Sequence, residues 1–407
     1  MNILIVSQNI ALGGAQRVVI HLSDYLNRHG HNAWILTPHL DLEDMPQIAQ
    51  RQKYIECPYP ILNKVGYEYK MRGNIFSLAH NIIRIRKRLK QVLKDYRIDL
   101  ISAHNPPSNW ISSFCPVPVV WSCNEPVSLC FSRRKPDYFP LSAEPPRLSS
   151  HILQRIYESV DYALCRWGID HIVVLSRYTQ RGVRNIYNRE AEVCRVGVDV
   201  EPFQRGDGQS VRKQYRCENS FLLLQVGHFK PEKNQQVSVK ALYSLKDKIP
   251  DVRLMFVGGG ALEEQTRQTV DALGLSERVI FAGRVPDDHL PDYYAACDLV
   301  VFPAVRQSWG LTPFEALAAG KLSIISSDCG AGEALSDEDI GFVCDPTPEA
   351  MAQKLLEIYN TGRSLNGMVD RGQRYIKQEL SYEAYGKRMT HLFESIVAGV
   401  REPRSKV

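Results

Sequence analysis

CDLVVFPAVRQSWGLTPFEALAAGKLSIIS, residues 297–326, decides how the rest of the chain reads. Leu299 to Phe302 is an apolar run of strand type, and Pro303 to Gly310 is a loop. A helix opens near Thr312-Pro313, runs through Phe314 to Ala318 and ends at Gly320; a second strand follows, Leu322 to Ile325. Proline in the first helical turn and glycine just past the last are the expected start and stop signals. A glycine-ended loop that feeds a helix N-terminus at the carboxyl edge of a parallel strand is a ready anion site. The backbone amides near Gly310, Leu311 and Thr312 would face the negative group. Glu315, three residues into the helix, suits sugar hydroxyls better than phosphate. Together they suggest a nucleotide-diphosphate ligand.

The alternation extends in both directions. In the first half, strands are expected at Ile3–Ser7, Ala33–Leu36, Leu100–Ser102, Val117–Trp121 and Ile172–Leu175. Helices are expected near Ala15–Arg28, Ile75–Tyr96 and Thr179–Tyr187. In the second half, strands fall at Leu222–Val226, Leu254–Val257, Val279–Phe281, Leu299–Phe302 and Leu322–Ile325, with helices between them. This order implies parallel sheets covered by helices on both faces. Such sheets bind ligands beyond the carboxyl ends of their strands, at the switch point. The polar stretch Arg205 to Gln209 suits a domain break, and Tyr382 to Val397 reads as an amphipathic helix. The proline-bearing loop between Phe131 and Pro146, with Arg133-Arg134-Lys135, is expected at the mouth of the first domain.

A chain of 407 residues suits two α/β domains. Its hydrophobic share of 44% and charged share of 23% are ordinary for a globular protein. No apolar run is long enough to span a membrane, and Met1 to Val6 reads as a first strand and not as a signal peptide. The ten cysteines are scattered singly, which argues for a reducing cytosol and against structural zinc. A net charge of +5 is too small to imply nucleic-acid binding, and it permits an acidic ligand or an anionic membrane surface.

Residues 307–320, QSWGLTPFEALAAG, resemble the signature of the retaining glycosyltransferases of family 4, which have the GT-B fold. Three other stretches resemble that family in the right order: GGAQRVV (13–19), VGHFKPEKN (226–234) and FAGRVP (281–286). The resemblance implies an α/β protein of two Rossmann-like, doubly wound parallel-sheet domains facing a central cleft. Residues 1–199, with a crossover helix at 382–407, would bind the acceptor; residues 200–381 would bind the nucleotide-sugar donor. The implied activity is retaining, metal-independent transfer of a sugar from a UDP- or GDP-linked donor to an acceptor hydroxyl. It would serve polysaccharide, glycolipid or other glycoconjugate synthesis, with no cofactor beyond the donor. The acceptor would be a carbohydrate, a lipid-linked molecule or another small molecule.

By the same resemblance, Lys233, His228 and Gln307 are catalytic candidates, with Asn124 at the end of the Val119–Cys123 strand. Gly13, Gly14, Arg284, Val285, Ser308, Trp309, Gly310, Leu311, Thr312 and Glu315 are donor-binding candidates. His104 and Glu125 are acceptor-binding candidates. Lys233 also stands out physically, because a cation near a helix N-terminus opposes the dipole unless an anion lies between them. Glu315 could bind ribose hydroxyls or simply complement its helix dipole, worth about 0.3–1 kcal/mol. Gly13-Gly14 is either a ligand approach or a plain turn, and His104 either an acceptor contact or a hydrogen-bonded structural histidine.

Three positions depart from the family pattern. Gln307 stands where a glutamate is usual and keeps hydrogen-bonding capacity without the charge. His228 stands where an arginine is usual, so its charge is conditional. Asn124-Glu125-Pro126 follows the strand where a histidine is usual. These departures leave open altered donor selectivity, slow turnover or a lost activity, the last giving a non-catalytic nucleotide-sugar-binding protein or an inactive partner subunit. A sugar-nucleotide epimerase or a phosphorylase on the same fold would need catalytic groups of its own. Finally, Arg84 to Arg97 carries seven basic residues against one acidic, with Ile82, Ile85, Leu89, Val92 and Tyr96 on one helical face. Such a helix either packs its apolar face on its own sheet or lies on the inner face of an anionic membrane, as a peripheral contact of a cytoplasmic protein.

Overall fold

The structure is a computed structural model that describes residues 1–11, 13–42, 45, 47–59, 62–65, 68–71, 75–124 and 151–401. Among these, contacts divide the chain into two compact units: residues 1–124, 151–196 and 382–401, and residues 197–381.

The first unit is built on a seven-stranded sheet. Its strands are Asn2–Ser7 (β1), Asn32–Thr37 (β2), Tyr54–Glu56 (β3), Leu100–His104, Val119–Ser122, His171–Val174 and Glu192–Val193. Leu62–Val65 (β4) and Glu68–Met71 (β5) pair separately as an antiparallel ribbon. The last four sheet strands are therefore β6 to β9, and the spatial order is β3-β2-β1-β6-β7-β8-β9. Every pairing in this sheet is parallel. Ile3, Leu4, Ile5 and Val6 are all buried, as a central strand covered on both faces requires.

The second unit repeats the plan with Phe221–Val226 (β10), Val252–Val257 (β11), Val279–Gly283 (β12), Leu299–Phe302 (β13), Leu322–Ser326 (β14) and Phe342–Cys344 (β15). Their order is β12-β11-β10-β13-β14-β15, again all parallel. The chain runs outward from β10 to β12, then returns to lay β13 on the other side of β10. That reversal leaves a crevice past the carboxyl ends of β10 and β13. In the first sheet, the reversal lies between β1 and β6.

The strands β3, β9 and β15 and the β4–β5 ribbon are absent from the sequence reading. Each has two to four residues, too short to generate a period of its own. The segment leaving the first unit and the one returning to it run side by side, with Val198 N–H donating to the Leu380 carbonyl at 2.8 Å. The polar stretch Arg205 to Gln209 lies within the second unit, leading into the helix Gly208–Gln214. The helix Tyr382–Arg401 packs against Gly14–Arg28 of the same unit, with Tyr382 stacked on His21 at 3.8 Å. At Gly386, any Cβ would fall 2.2 Å from the Tyr25 ring, so only glycine allows this approach. The loop from 131 to 146 lies outside the described residues.

Candidate active site

Lys233 occupies a short 3₁₀ turn, Pro231–Lys233, in the loop that follows β10. Its position is fixed from beneath by buried amides. Gln225, a polar residue inside the apolar strand β10, donates through Nε2 to the Lys233 carbonyl at 2.8 Å. Its Oε1 accepts from Ser238 Oγ at 2.7 Å. Gln235 Nε2 donates to the His228 carbonyl at 2.9 Å, holding the other end of the loop. Gln225, Ser238 and Gln235 are all buried, where hydrogen-bonded groups confer rigidity. Asn234 closes the turn in the left-handed region, φ 54°, and its Nδ2 reaches the Pro303 carbonyl at 3.3 Å. The β10 and β13 loops are thereby tied together, also by Val305 N–H donating to the Glu232 carbonyl.

From this turn Lys233 Nζ donates to Gln307 Oε1 at 2.8 Å. The ammonium also lies 5.2 Å from the centre of the Phe302 ring. The same ring passes Gly310, where a Cβ would sit 2.8 Å from Cζ. Lys233 and Gly310 therefore converge on one aromatic ring at the switch point, with Gln307 joined to them through its bond to Lys233. The Gln307 backbone is pinned to the loop after β14, its carbonyl accepting from Gly330 N–H at 2.9 Å.

Thr312–Ala318 is the expected helix, with Pro313 in its first turn. Ser308 and Trp309 are buried, and the indole stacks on Phe314 at 4.8 Å. The Trp309 side chain is thus part of the core that supports the loop. Glu315 is buried and accepts from the Tyr294 hydroxyl at 2.6 Å. Burial, followed by the neighbouring Glu315, pushes the Tyr294 pKa well above its ordinary value.

His228 is solvent-exposed, with Nδ1–H donating to the Gly259 carbonyl at 3.3 Å. Its pKa is lowered from 6.5, first by desolvation, then by Lys230, Arg284 and Lys233, against the raising effect of the Gly259 bond. The same cations make this rim attractive to an anion. Arg284 and Val285 follow β12 directly, with Arg284 exposed.

The sequence reading passed over Gly258-Gly259-Gly260, which follows β11. At Gly258 (φ +134°) a Cβ would lie 2.2 Å from the Gly227 carbonyl oxygen, and at Gly260 (φ +156°) 2.8 Å from the Phe229 backbone. These glycines let the β10 and β11 loops stack, and Gly258 N–H reaches the Gly283 carbonyl at the end of β12 at 2.8 Å. A triple glycine after a strand is a readable signal, as is a glutamine inside an apolar strand. Nothing in the sequence singles out Tyr294.

In the first unit, Gly13 precedes the helix Gly14–Arg28, and Gln16 Nε2 donates to Asn9 Oδ1 at 3.0 Å beside it. His104 ends β6 and is buried, paired through Nε2 with Ser102 Oγ at 2.9 Å; burial lowers its pKa to about 4. Asn124 Nδ2 donates at 3.1 Å to Oδ1 of Asn105, a left-handed residue with φ 59°. His104 and Asn124 thus meet at adjoining strand ends, through Asn105. Glu125 lies outside the described residues.

Residues 12–202 match the model of Glycosyltransferase Family 4, and residues 208–375 that of Glycosyl transferases group 1. The chain is 27% identical over 256 residues to a GDP-mannose-dependent alpha-(1-6)-phosphatidylinositol monomannoside mannosyltransferase of Mycolicibacterium smegmatis, covering 60% of this chain and 66% of that one. It is 28% identical over 185 residues to the putative glycosyltransferase EpsD of Bacillus subtilis, covering 44% of this chain and 48% of that one. The matched segments therefore span less than two thirds of these relatives' length. The fold of Anabaena HepE, solved in complex with UDP, superposes with a TM-score of 0.74 at 19% identity, covering 97% of this chain and all of that one. Two parallel-sheet units of this topology, matched in turn by these two models over residues 12–202 and 208–375, place the chain in glycosyltransferase family 4, with the GT-B fold.

Proposed function

We propose that the chain transfers a sugar, with retention at the anomeric carbon, from a UDP- or GDP-linked donor to an acceptor hydroxyl in glycoconjugate synthesis. The observation that carries this reading is Lys233 Nζ, held 2.8 Å from Gln307 Oε1 where the second sheet reverses. Lys233 and the amides of Gly310, Leu311 and Thr312 stabilise the departing diphosphate, with His228 assisting when protonated. Gln307 faces the sugar, Glu315 the ribose, and the backbone at Arg284-Val285 the base. Gly13 and Gly14 let the first unit's backbone approach the donor, Asn124 serves near the reacting carbon, and His104 and Glu125 serve the acceptor.

As the bond from the anomeric carbon to the phosphate oxygen breaks, the acceptor oxygen bonds to that carbon on the same face. Its proton passes to the leaving phosphate oxygen. No protein nucleophile is consumed, and Lys233 supplies the countercharge, so divalent metal is not required in this scheme. Peripheral contact with an anionic membrane through residues 84–97 belongs to the same reading, with a lipid-linked or other carbohydrate acceptor. None of the described helices is long and apolar enough to cross a membrane.

A thermal-shift screen of nucleoside diphosphates and their sugars, with and without chelator, tests the proposal, because selective binding raises the melting temperature by mass action. One base is expected to stabilise the fold, equally in chelator, and the matching sugar nucleotide to be turned over with an acceptor panel. Stabilisation by none of them overturns the reading. Stabilisation that vanishes in chelator and returns with magnesium overturns the metal-independent part. Binding without turnover on a broad acceptor panel would make the chain a nucleotide-sugar-binding protein.

A further inference from the structure

The helix His151–Trp167 packs Tyr157, Leu164 and Cys165 on the core of the first unit and still leaves further apolar residues on its outer side. Its inward face buries a carboxylate, Asp161, which accepts from Trp110 Nε1–H at 2.6 Å and from the Tyr187 hydroxyl at 2.8 Å. Its outward stripe is Ile156, Val160 and Trp167, exposed to 54%, 47% and 64%. Large apolar side chains gathered on one exposed stripe mark a contact surface more often than scattered single ones do.

The stripe continues onto two neighbouring elements. Phe114, exposed to 61%, donates its N–H to the Gly168 carbonyl at 2.8 Å. Its ring lies so close that a Cβ on Gly168 would fall 2.9 Å from Phe114 Cε2, which sets the ring beside the Trp167 end of the helix. Arg86, on the helix Ile75–Asp95, donates to the Trp110 carbonyl, the Ser113 hydroxyl and the Ser113 carbonyl at 2.6, 2.9 and 3.0 Å. That clamp ties the second helix to the segment ending in Phe114. Next to Arg86, the exposed face of this helix carries Ile83, Lys87, Lys90 and Lys94 in one row. The nearby Asp95 is engaged by Gln91 at 2.7 Å.

We propose that this three-element face docks the first unit on an anionic lipid bilayer. Phe114, Ile156, Val160 and Trp167 enter the boundary between headgroups and acyl chains, and the lysine row meets the lipid phosphates. The proposal deepens the membrane contact suggested for residues 84–97, adding a second helix and an aromatic wedge. It rests on that contact and not on the donor chemistry. Charge selects the occupant: a neutral surface gives the lysine row no partner, and a second copy packed symmetrically would set two such rows against each other.

The test is flotation of the full chain with phosphatidylcholine vesicles, with and without phosphatidylglycerol. Flotation is expected only with phosphatidylglycerol and should fall as salt is raised. Phe114→Ser with Trp167→Ser, and separately Lys87→Gln with Lys90→Gln and Lys94→Gln, should each weaken partitioning about tenfold or more. Unchanged circular dichroism and unchanged donor binding in solution show that the variants fold. Equal flotation with both vesicle types, variants that float like wild type, or a wild-type dimer that the variants abolish without any lipid effect would each overturn the proposal. Donor binding without flotation removes only this inference; flotation without donor binding removes only the proposed catalytic function.

Discussion

Lys233 Nζ donates to Gln307 Oε1 across 2.8 Å, linking the loops that follow β10 and β13. An ammonium only donates, so the amide must present its oxygen to Lys233 and keep its NH₂ for another partner. A carboxylate at 307 would cancel the lysine's charge, whereas the amide leaves it available to a diphosphate. Lys233→Ala is therefore expected to weaken nucleoside diphosphate binding by about 1.5–3 kcal/mol. Gln307→Glu should weaken it by about 1–2 kcal/mol, through a new negative charge near the phosphates. The two effects should couple, because once Lys233 is gone the new carboxylate has no lysine to neutralise. Calorimetric titration of both single variants and the double variant decides this. Strict additivity, or no loss in either single variant, removes the pair from the phosphate site.

Glu315 is more deeply engaged than its place in the sequence suggests, since its carboxylate receives the buried Tyr294 hydroxyl at 2.6 Å. Glu315→Ala leaves that hydroxyl short of an acceptor and should cost about 1–3 kcal/mol of stability. Glu315→Gln keeps an acceptor and should fold with a smaller loss. If the carboxylate also holds the ribose, Glu315→Gln weakens nucleoside and nucleoside diphosphate by the same factor. Loss confined to the diphosphate would place Glu315 beside the phosphates and not the ribose.

Much of the second unit was legible because its strands are continuous apolar runs and its loops end in glycine. Leu299 to Phe302 and the helix from Thr312 stand where the pattern of proline and glycine sets them. The short edge strands escaped because three residues such as Tyr54 to Glu56 carry no period. The supports of the site escaped for a different reason. Gln225, Ser238 and Tyr294 act through partners 13 or more positions away or through a neighbouring turn, and only the fold brings those partners together. The helix His151–Trp167 is not among the helices expected from the sequence, so its outward stripe of Ile156, Val160 and Trp167 was not legible; apolar residues at helical spacing would in any case read as a core face.

His104 supplies a prediction for the first unit. Burial lowers its pKa from 6.5 to about 4 in the folded state. Between these values the unfolded chain binds more protons, so stability is full above about 6.5 and falls as pH drops toward 4. The loss from this one residue is on the order of 3 kcal/mol. His21, held at about 4 by burial, titrates in the same window. His104→Gln should therefore reduce the slope of stability against pH between 4 and 6.5 without abolishing it. Denaturant melts at several pH values measure this, and an unchanged slope would show that His104 becomes protonated at no cost.

If His228 faces the diphosphate as proposed, it sets the pH dependence of donor affinity. Desolvation first, and then Lys230, Arg284 and Lys233, hold its pKa below 6.5 in the ligand-free protein. At neutral pH it is therefore mostly uncharged. A bound diphosphate brings negative charge beside the ring and raises the pKa in the complex. Affinity is then greatest below the free pKa, falls as pH rises, and levels off above the pKa of the complex. The fall begins below 6.5, so titrations must extend into mildly acidic solution to capture it. The terminal phosphate opposes this trend by gaining its second charge near pH ~6, and that term is common to wild type and variant. His228→Arg carries its charge throughout and should show only the phosphate term, with tighter binding than wild type at pH above 7. His228→Gln should lack the acidic gain and match wild type at high pH. Calorimetry on the three proteins across the range separates these profiles. If their pH slopes coincide, His228 does not face the diphosphate, and the countercharge rests on Lys233 with the backbone amides after Gly310.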